Sequence, residues 1–230
     1  MTAMKGGGED TRLIVFSGID GAGKSSLIEE LRRSELLEGA VFLRKEGRRS
    51  VVLLSGYHQR PHGDGRDYLE SSFATVRPFA TAFDFLEHYE ENILPLFGAV
   101  PFVVCDRYVT CAAAYLHAMG YPTAARELFH HVRVPDVTFY VTLDWTLWAE
   151  RMNRRGGAQE DEGPELMARY AQGFEEILPT YPGGAVRIDN SGPFESVYAQ
   201  VEGAIRTALQ SPSRPFTYGE GFAGGRGTRL

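Results

Sequence analysis

The order of apolar runs and helix-like periods along the chain predicts an α/β fold, a five-stranded parallel sheet wrapped by helices on both faces. Three observations carry that prediction. Short continuous apolar runs, such as Phe102-Val103-Val104-Cys105 and Thr138-Phe139-Tyr140-Val141-Thr142-Leu143, have the pattern of strands buried on both faces. Segments of helical spacing separate these runs, the alternation that parallel strands with crossover helices require. Between the first run and the first helix stands a glycine-rich loop, Gly18-Ile19-Asp20-Gly21-Ala22-Gly23-Lys24-Ser25.

Taken in order, residues 1–10 form a short amino-terminal segment expected to be flexible, and Leu13-Ile14-Val15-Phe16 is the first strand. Residues 25–38 read as a helix. The second strand is ambiguous between Ala40-Val41-Phe42-Leu43 and Val51-Val52-Leu53-Leu54; the later run is preferred because it is β-branched and ends at Ser55-Gly56. Pro61, Gly63 and Gly65 make residues 57–68 loop-like. Helical periodicity covers 70–96, where Pro78 is expected to start a second helix. The strand 102–105, a helix over 112–119, the strand 138–143 and a helix over 146–155 follow. A polar, acidic loop over 156–164 leads to a helix over 165–178, a last strand at 185–188 and a helix over 194–209. The Gly- and Pro-rich stretch 211–230 is expected to be loosely ordered, which leaves one domain over 11–210.

Composition narrows the classes of function. The chain has 230 residues, a length suited to one α/β domain. A net charge of -6 argues against a groove that tracks nucleic-acid phosphates, since such surfaces are basic. Small-molecule chemistry is favoured. Cys105 and Cys111 show neither metal-ligand spacing nor a disulfide framework and read as free thiols in a reducing compartment. No stretch approaches about 18 uninterrupted apolar residues, and the first ten residues lack an apolar leader core, so a cytoplasmic protein without a membrane partner is expected.

The glycine-rich loop fits the pattern G-x-x-x-x-G-K-[ST] in the strand, loop, helix setting that the pattern needs. Its glycines, Gly18, Gly21 and Gly23, let successive backbone N–H groups, with those of Ala22, Lys24, Ser25 and Ser26, converge on phosphate oxygens at a helix N-terminus. Lys24 then reaches the β- and γ-phosphates of a nucleoside triphosphate and the Ser25 hydroxyl serves Mg²⁺. The second signal is Asp106-Arg107-Tyr108 at the end of a buried strand. Ligands of open α/β sheets bind at the carboxyl ends of the strands, so Asp106 is expected to face the same crevice as Lys24. A carboxylate there can hold Mg²⁺, and the neighbouring guanidinium can clamp a phosphate.

At these residues the chain resembles the thymidylate kinases, nucleoside monophosphate kinases of the P-loop class. Phe16-Ser17-Gly18-Ile19-Asp20-Gly21-Ala22-Gly23-Lys24-Ser25 is similar to their F-E-G-x-D-G-x-G-K-[ST] loop, and His88-Tyr89-Glu90-Glu91-Asn92-Ile93-Leu94-Pro95 to their H-x-E-E-x-I-x-P helix. Cys105-Asp106-Arg107-Tyr108 with Ala114-Tyr115 resembles D-R-Y…A-Y. Pro135-Asp136-Val137-Thr138, Leu143-Asp144, Arg151 and Arg155 resemble the strand and arginine-bearing helix that enter the family's lid. The likeness runs from about Leu13 to Ala208 and is weakest between Arg32 and Arg77.

The resemblance implies the P-loop NTPase fold with a lid at about 151–166, ATP and Mg²⁺ as cofactors, a small-molecule nucleotide acceptor, and a homodimer. It makes Lys24 and the loop amides the holders of the donor phosphates and Ser25 with Asp106 the organisers of Mg²⁺. Arg107 binds the acceptor phosphate, and Arg151 and Arg155, four apart on one helix face, neutralise the transferring group. Asp20 accepts from the acceptor's 3′-hydroxyl and Tyr115 packs beside its sugar.

The departures bear on the acceptor's base. Aligned on His88, the family's base-stacking Phe falls on Thr81 and its base-contacting Arg on Phe85; aligned on Asp106, a Ser and a Gln near the base correspond to Cys111 and Leu116. Phe79, Phe83, Phe85 and Cys111 are therefore candidate walls of an apolar acceptor pocket, and the acceptor need not be thymidylate. Phe79, Phe83 and Phe85 have helical spacing that also suits a core. The arginine after the family's second strand has Arg44, Arg60 or Arg77 as candidates, and the acidic loop Gln159-Glu160-Asp161-Glu162 leaves lid chemistry to Arg151, Arg154 and Arg155. Two other readings stay open: a kinase for a nucleoside or another small alcohol, with Asp106 or Asp20 as general base, and a non-catalytic nucleotide-binding protein.

Overall fold

The computed structural model describes residues 11–44, 66–121, 123–155 and 163–214. Strand β1 (Arg12–Ser17) lies at the centre of a five-stranded parallel sheet with β2 (Val41–Arg44), β3 (Phe102–Asp106), β4 (Val137–Thr142) and β5 (Val186–Asp189) in the order β2-β3-β1-β4-β5. The helices are α1 (Lys24–Arg33), α2 (Arg66–His88), α3 (Val109–Ala118), α4 (Trp145–Arg154), α5 (Pro164–Ile177) and α6 (Phe194–Gln210). Leu13 to Phe16, Val103, Val104, Phe139 and Val141 are all buried, as strands covered on both faces must be. One apolar core runs from Leu13 to Ile205. Among the described residues, no helix is long and apolar enough to cross a membrane.

Pairing register positions the site. Phe16 of β1 lies opposite Asp106, and Arg44 of β2 lies opposite Asp106 from the other side. After β1 the chain turns into α1, and the order of strands reverses there, which opens a crevice at the carboxyl ends of β1 and β3.

Four local expectations are corrected. The second strand is the earlier run, Val41–Arg44, paired residue by residue with Val103 to Asp106; as an edge strand it is half-buried and lacks the β-branched density of a central one. Val51-Val52-Leu53-Leu54 lies outside the described residues. Pro78 does not start a helix but sits inside α2: the lost N–H weakens one turn, while Ala82 and Phe85 keep the apolar face in the core. The helix also does not run evenly to 96. Residues Tyr89–Ile93 widen into a π turn that puts both Tyr89 and Ile93 in the core, and Pro95 belongs to a closing 3₁₀ turn. Finally α1 stops at Arg33, because the Ser34 hydroxyl donates to the Leu31 carbonyl, 2.9 Å, and Ser34 turns extended before a 3₁₀ turn.

Residues 211–214 are tied down, contrary to expectation. The Arg214 N–H donates to Asp136 Oδ1 at 2.9 Å, and Asp136 also takes the Leu13 N–H at 2.8 Å and the Arg12 guanidinium at 3.3 Å. These bonds close the amino-terminal end of the sheet, away from the crevice. The expectations for residues 1–10, for 215–230 and for most of the acidic loop fall outside the described residues.

Candidate active site

The loop after β1 is shaped by two positions where only glycine fits. At Gly18, with φ 140°, a Cβ would collide with the Val141 carbonyl of β4. At Gly23, with φ 94°, a Cβ would strike the Asn190 side-chain amide. Gly23 caps α1, whose first N–H groups therefore open toward the crevice. The Lys24 ammonium folds back over the loop and donates to the carbonyls of Gly18 at 2.9 Å and Ile19 at 2.8 Å. It is buried, and burial, with the nearby Arg107 guanidinium second, pulls it down to about 8.

Strand β3 delivers Asp106 to the same place. Its Oδ2 accepts from the Ser25 hydroxyl at 2.9 Å, while Oδ1 is buried with no hydrogen-bond partner. A buried carboxylate oxygen without a donor is costly unless a cation completes it. Arg107 follows in the left-handed region, φ 81°, a conformation that a bulky residue rarely holds. Its N–H is fixed by the Phe16 carbonyl at 2.9 Å, and its guanidinium donates to Asp20 Oδ1 and, at 3.2 Å, to the Tyr170 hydroxyl of α5. Tyr170 in turn donates to the Cys111 carbonyl at 3.0 Å. Burial pushes this phenol well above its ordinary range, so it stays a neutral donor. Tyr115 meets Tyr170 edge-on at 6.2 Å. Cys105 and Cys111 are both free and buried, and burial, with Asp106 next, raises the Cys105 thiol to about 12.

The far wall comes from α4 and the end of β5. Asp144 caps α4 by accepting from the Thr146 N–H at 2.8 Å, which holds its carboxyl below the usual range. Trp148 Nε1 donates to the Asp20 carbonyl at 2.8 Å. Arg151 donates to the Asn190 carbonyl at 2.9 Å and reaches the Ala22 carbonyl at 3.4 Å, and the Asn190 amide donates to that same carbonyl at 2.7 Å.

Together these residues enclose a cleft of about 470 Å³. Of the anticipated residues, its wall holds Asp20, Gly21, Gly23, Lys24, Ser25, Ser26, Arg44, Asp106, Arg107, Arg151 and Arg155, and it adds Asn190, Gly192 and Phe194. Five cationic side chains therefore face two carboxylates in a chain whose net charge is -6, a local excess suited to a polyanion. Gly18 and Ala22 stand behind this wall and act through their carbonyls. Arg154, by contrast, pairs with Glu150 at 3.4 Å and is exposed.

The apolar residues proposed for the acceptor do not gather. Phe85 is 1% exposed and meets Tyr108 and Phe129 edge-on at 5.4 and 5.5 Å, so it is a core residue. Phe83, 56% exposed, is on the opposite side of α2, about 200° away around a helix. Phe79 is half-buried against the core. None of the three lines the cleft, nor do Cys111 and Tyr115, which sit behind Arg107 through Tyr170. Two residues that sequence reasoning passed over, Asn190 and Trp148, hold the loop's carbonyls. Asn190 follows a strand's carboxyl end, the rule that found Asp106, and Trp148 is three residues before Arg151 on one helix face.

A strand, phosphate loop and helix carrying a buried lysine, with a serine and aspartate beside it and an arginine wall opposite, define a P-loop phosphotransferase. Within that class the family model described as Thymidylate kinase matches residues 16–201, and the chain belongs to the thymidylate kinase family. Relatives include the thymidylate kinase of Leptospira interrogans, 26% identical over 87% of this chain and 96% of its own length. That of Bifidobacterium longum subsp. infantis is 27% identical over 86% and 87%. Among solved structures, thymidylate kinase from Candida albicans superposes with a TM-score of 0.65 at 20% identity, covering 86% of this chain and 92% of that one. The enzyme from Ehrlichia chaffeensis gives 0.58 at 19%, covering 85% and 98%. Both carry the same fold.

Proposed function

We propose that the protein transfers the γ-phosphoryl group of ATP to the phosphate of a nucleoside monophosphate, with Mg²⁺ at Ser25 and Asp106. The observation that carries this reading is Arg107. Its guanidinium, fixed from below by Tyr170, stands at the end of β3 beside Asp20 and opens on the cleft that Lys24 closes. An anionic acceptor needs such positioning and no general base. Asp20 is already paired with Arg107, which disfavours its use as a base for a nucleoside hydroxyl.

The cation fits the orphaned Asp106 Oδ1 and the adjacent Ser25 hydroxyl. Among the described residues no cluster of three or more His, Cys, Asp or Glu could hold a metal, so most ligands would come from phosphates and water, as Mg²⁺ prefers. When bound, the ion offsets charge on the donor phosphates. Lys24 would exchange its two carbonyl partners for phosphate oxygens. Arg151 of α4 and Arg155 at its C-terminal cap would face the transferring group, and Arg44, held beside Asp106 by the β2–β3 register, would support the acceptor phosphate with Arg107. Of the other candidates for that arginine, Arg77 stands 3.5 Å from the Tyr115 hydroxyl and Arg60 lies outside the described residues.

By the resemblance, Leu116 and Phe85 stand where the family has a Gln and an Arg that reach the base; here both are apolar core residues and would offer a base no hydrogen bond. A site without those donors discriminates weakly among bases. In a reaction with Mg-ATP and a panel of nucleoside monophosphates and nucleosides, ADP forms with monophosphates and no nucleoside is turned over. Several monophosphates compete with thymidylate. Turnover of nucleosides alone would overturn the phosphate-acceptor reading, and thymidylate outrunning every other acceptor would overturn the relaxed choice of base.

A further inference from the structure

The loop's outer side is held by a clamp at Asn190. Three facts define it. The Asn190 backbone N–H is fixed to β4 by the Thr142 carbonyl at 2.8 Å, its side-chain amide donates to the Ala22 carbonyl at 2.7 Å, and its own carbonyl takes Arg151 Nη2 at 2.9 Å. The residue is 5% exposed, and its Nδ2 occupies the space where a Cβ on Gly23 would be. Each peptide unit carries its C=O and its N–H on opposite edges, so a carbonyl drawn outward turns the next N–H inward. The unit after Ala22 carries the N–H of Gly23, in the arc that receives phosphate.

From this we infer that Asn190 is a positioning residue for the phosphate donor: it holds the Ala22 carbonyl away from the cleft, so that the loop's N–H groups face phosphate before nucleotide arrives. It also links that loop to Arg151, because Arg151 rests on the two carbonyls that define the clamp. The inference rests on the donor reading of the loop given above. It adds a residue outside the glycine loop on which donor affinity depends, and it explains why position 23 tolerates no side chain.

Two substitutions separate this role from simple packing. Asn190→Ala removes the donor to the Ala22 carbonyl and leaves room for water. Asn190→Asp keeps the shape but replaces the N–H with a carboxylate oxygen that repels the Ala22 carbonyl and the incoming phosphates and attracts Arg151. Titration calorimetry with ADP should show the dissociation constant rising roughly tenfold for Asn190→Ala and roughly a hundredfold for Asn190→Asp. The acceptor KM should stay within about twofold, with the loss in the donor KM for Ala and in both donor KM and kcat for Asp. Equal ADP affinity in both folded variants and the parent would overturn the inference. Should either variant fail to fold, the parent decides: the Asn190 side-chain amide protons should exchange slowly in the free protein and shift on addition of ADP. Fast exchange with no shift overturns it. Because ADP binding needs no turnover, a parent that binds ADP but transfers no phosphoryl group would refute the proposed reaction and leave this inference standing.

Discussion

Replacing Arg107 with Ala is expected to lower kcat/KM for the acceptor by about 10²- to 10³-fold while ADP affinity stays within about threefold. The asymmetry follows from geometry. Arg107 sits at the end of β3, tied to Asp20 and Tyr170, whereas the donor's phosphates would rest on Lys24 and the start of α1. Arg107→Lys keeps the charge but loses the planar fork that meets a phosphate with two bonds, so it should recover only part of the loss. The backbone gives a second contrast. At φ 81° glycine is at ease and alanine is not, so Arg107→Gly should be more stable than Arg107→Ala by about 1 kcal/mol while equally impaired. Steady-state kinetics and thermal melts check both, and unchanged acceptor kinetics in Arg107→Ala would remove the residue from the acceptor site.

Lys24→Met should lose activity on the order of 10³-fold or more and yet melt no lower than the parent at pH 7. Lys24 is buried and holds its proton at a pKa of about 8, against 10.5 for an ordinary lysine. Below pH 8 the folded chain carries this buried charge at a cost of about 3 kcal/mol relative to the exposed group. Between about pH 8 and 10.5 the unfolded chain binds more protons, so the parent gains stability relative to Lys24→Met as pH rises. The β-phosphate of a bound nucleotide brings negative charge to the ammonium and raises its pKa again, so ADP binding by the parent at pH 8 should take up about half a proton. Titrations in buffers of different ionisation enthalpy measure that uptake. It should vanish in Lys24→Met and at pH 6.5, and donor affinity should weaken as pH climbs above 8. A melting temperature several degrees below the parent at pH 7 would contradict the account of Lys24 as a strained, functional charge.

Much of this was legible because central strands and the phosphate loop are local. A strand buried on both faces must be apolar throughout, so β1, β3 and β4 announce themselves, and the spacing from Gly18 to Ser25 carries the loop's geometry by itself. The edge strand β2 was hidden for the same reason: half-buried, it needs no continuous β-branched run, and Val51-Val52-Leu53-Leu54 looked the better strand. Pro78 misled because tertiary packing of Ala82 and Phe85 outweighs one lost backbone bond. Phe79 and Phe83, four apart, share a helix face while Phe85 lies on the other side, and only the structure shows which side meets the core. Asn190 and Trp148 escaped because they act on the loop's carbonyls across 168 and 128 residues, a contact that no local pattern encodes.

The central claim is transfer to a phosphate acceptor at the crevice between β1 and β3. It is tested most directly by ³¹P NMR of the protein with Mg-ATP and thymidylate. The account predicts that ADP appears together with an equal amount of thymidine diphosphate, and that neither forms when Arg107 is replaced by Ala at matched concentrations and times. Release of inorganic phosphate without a diphosphate product, or no change in ATP at all with thymidylate or any other monophosphate, would contradict it.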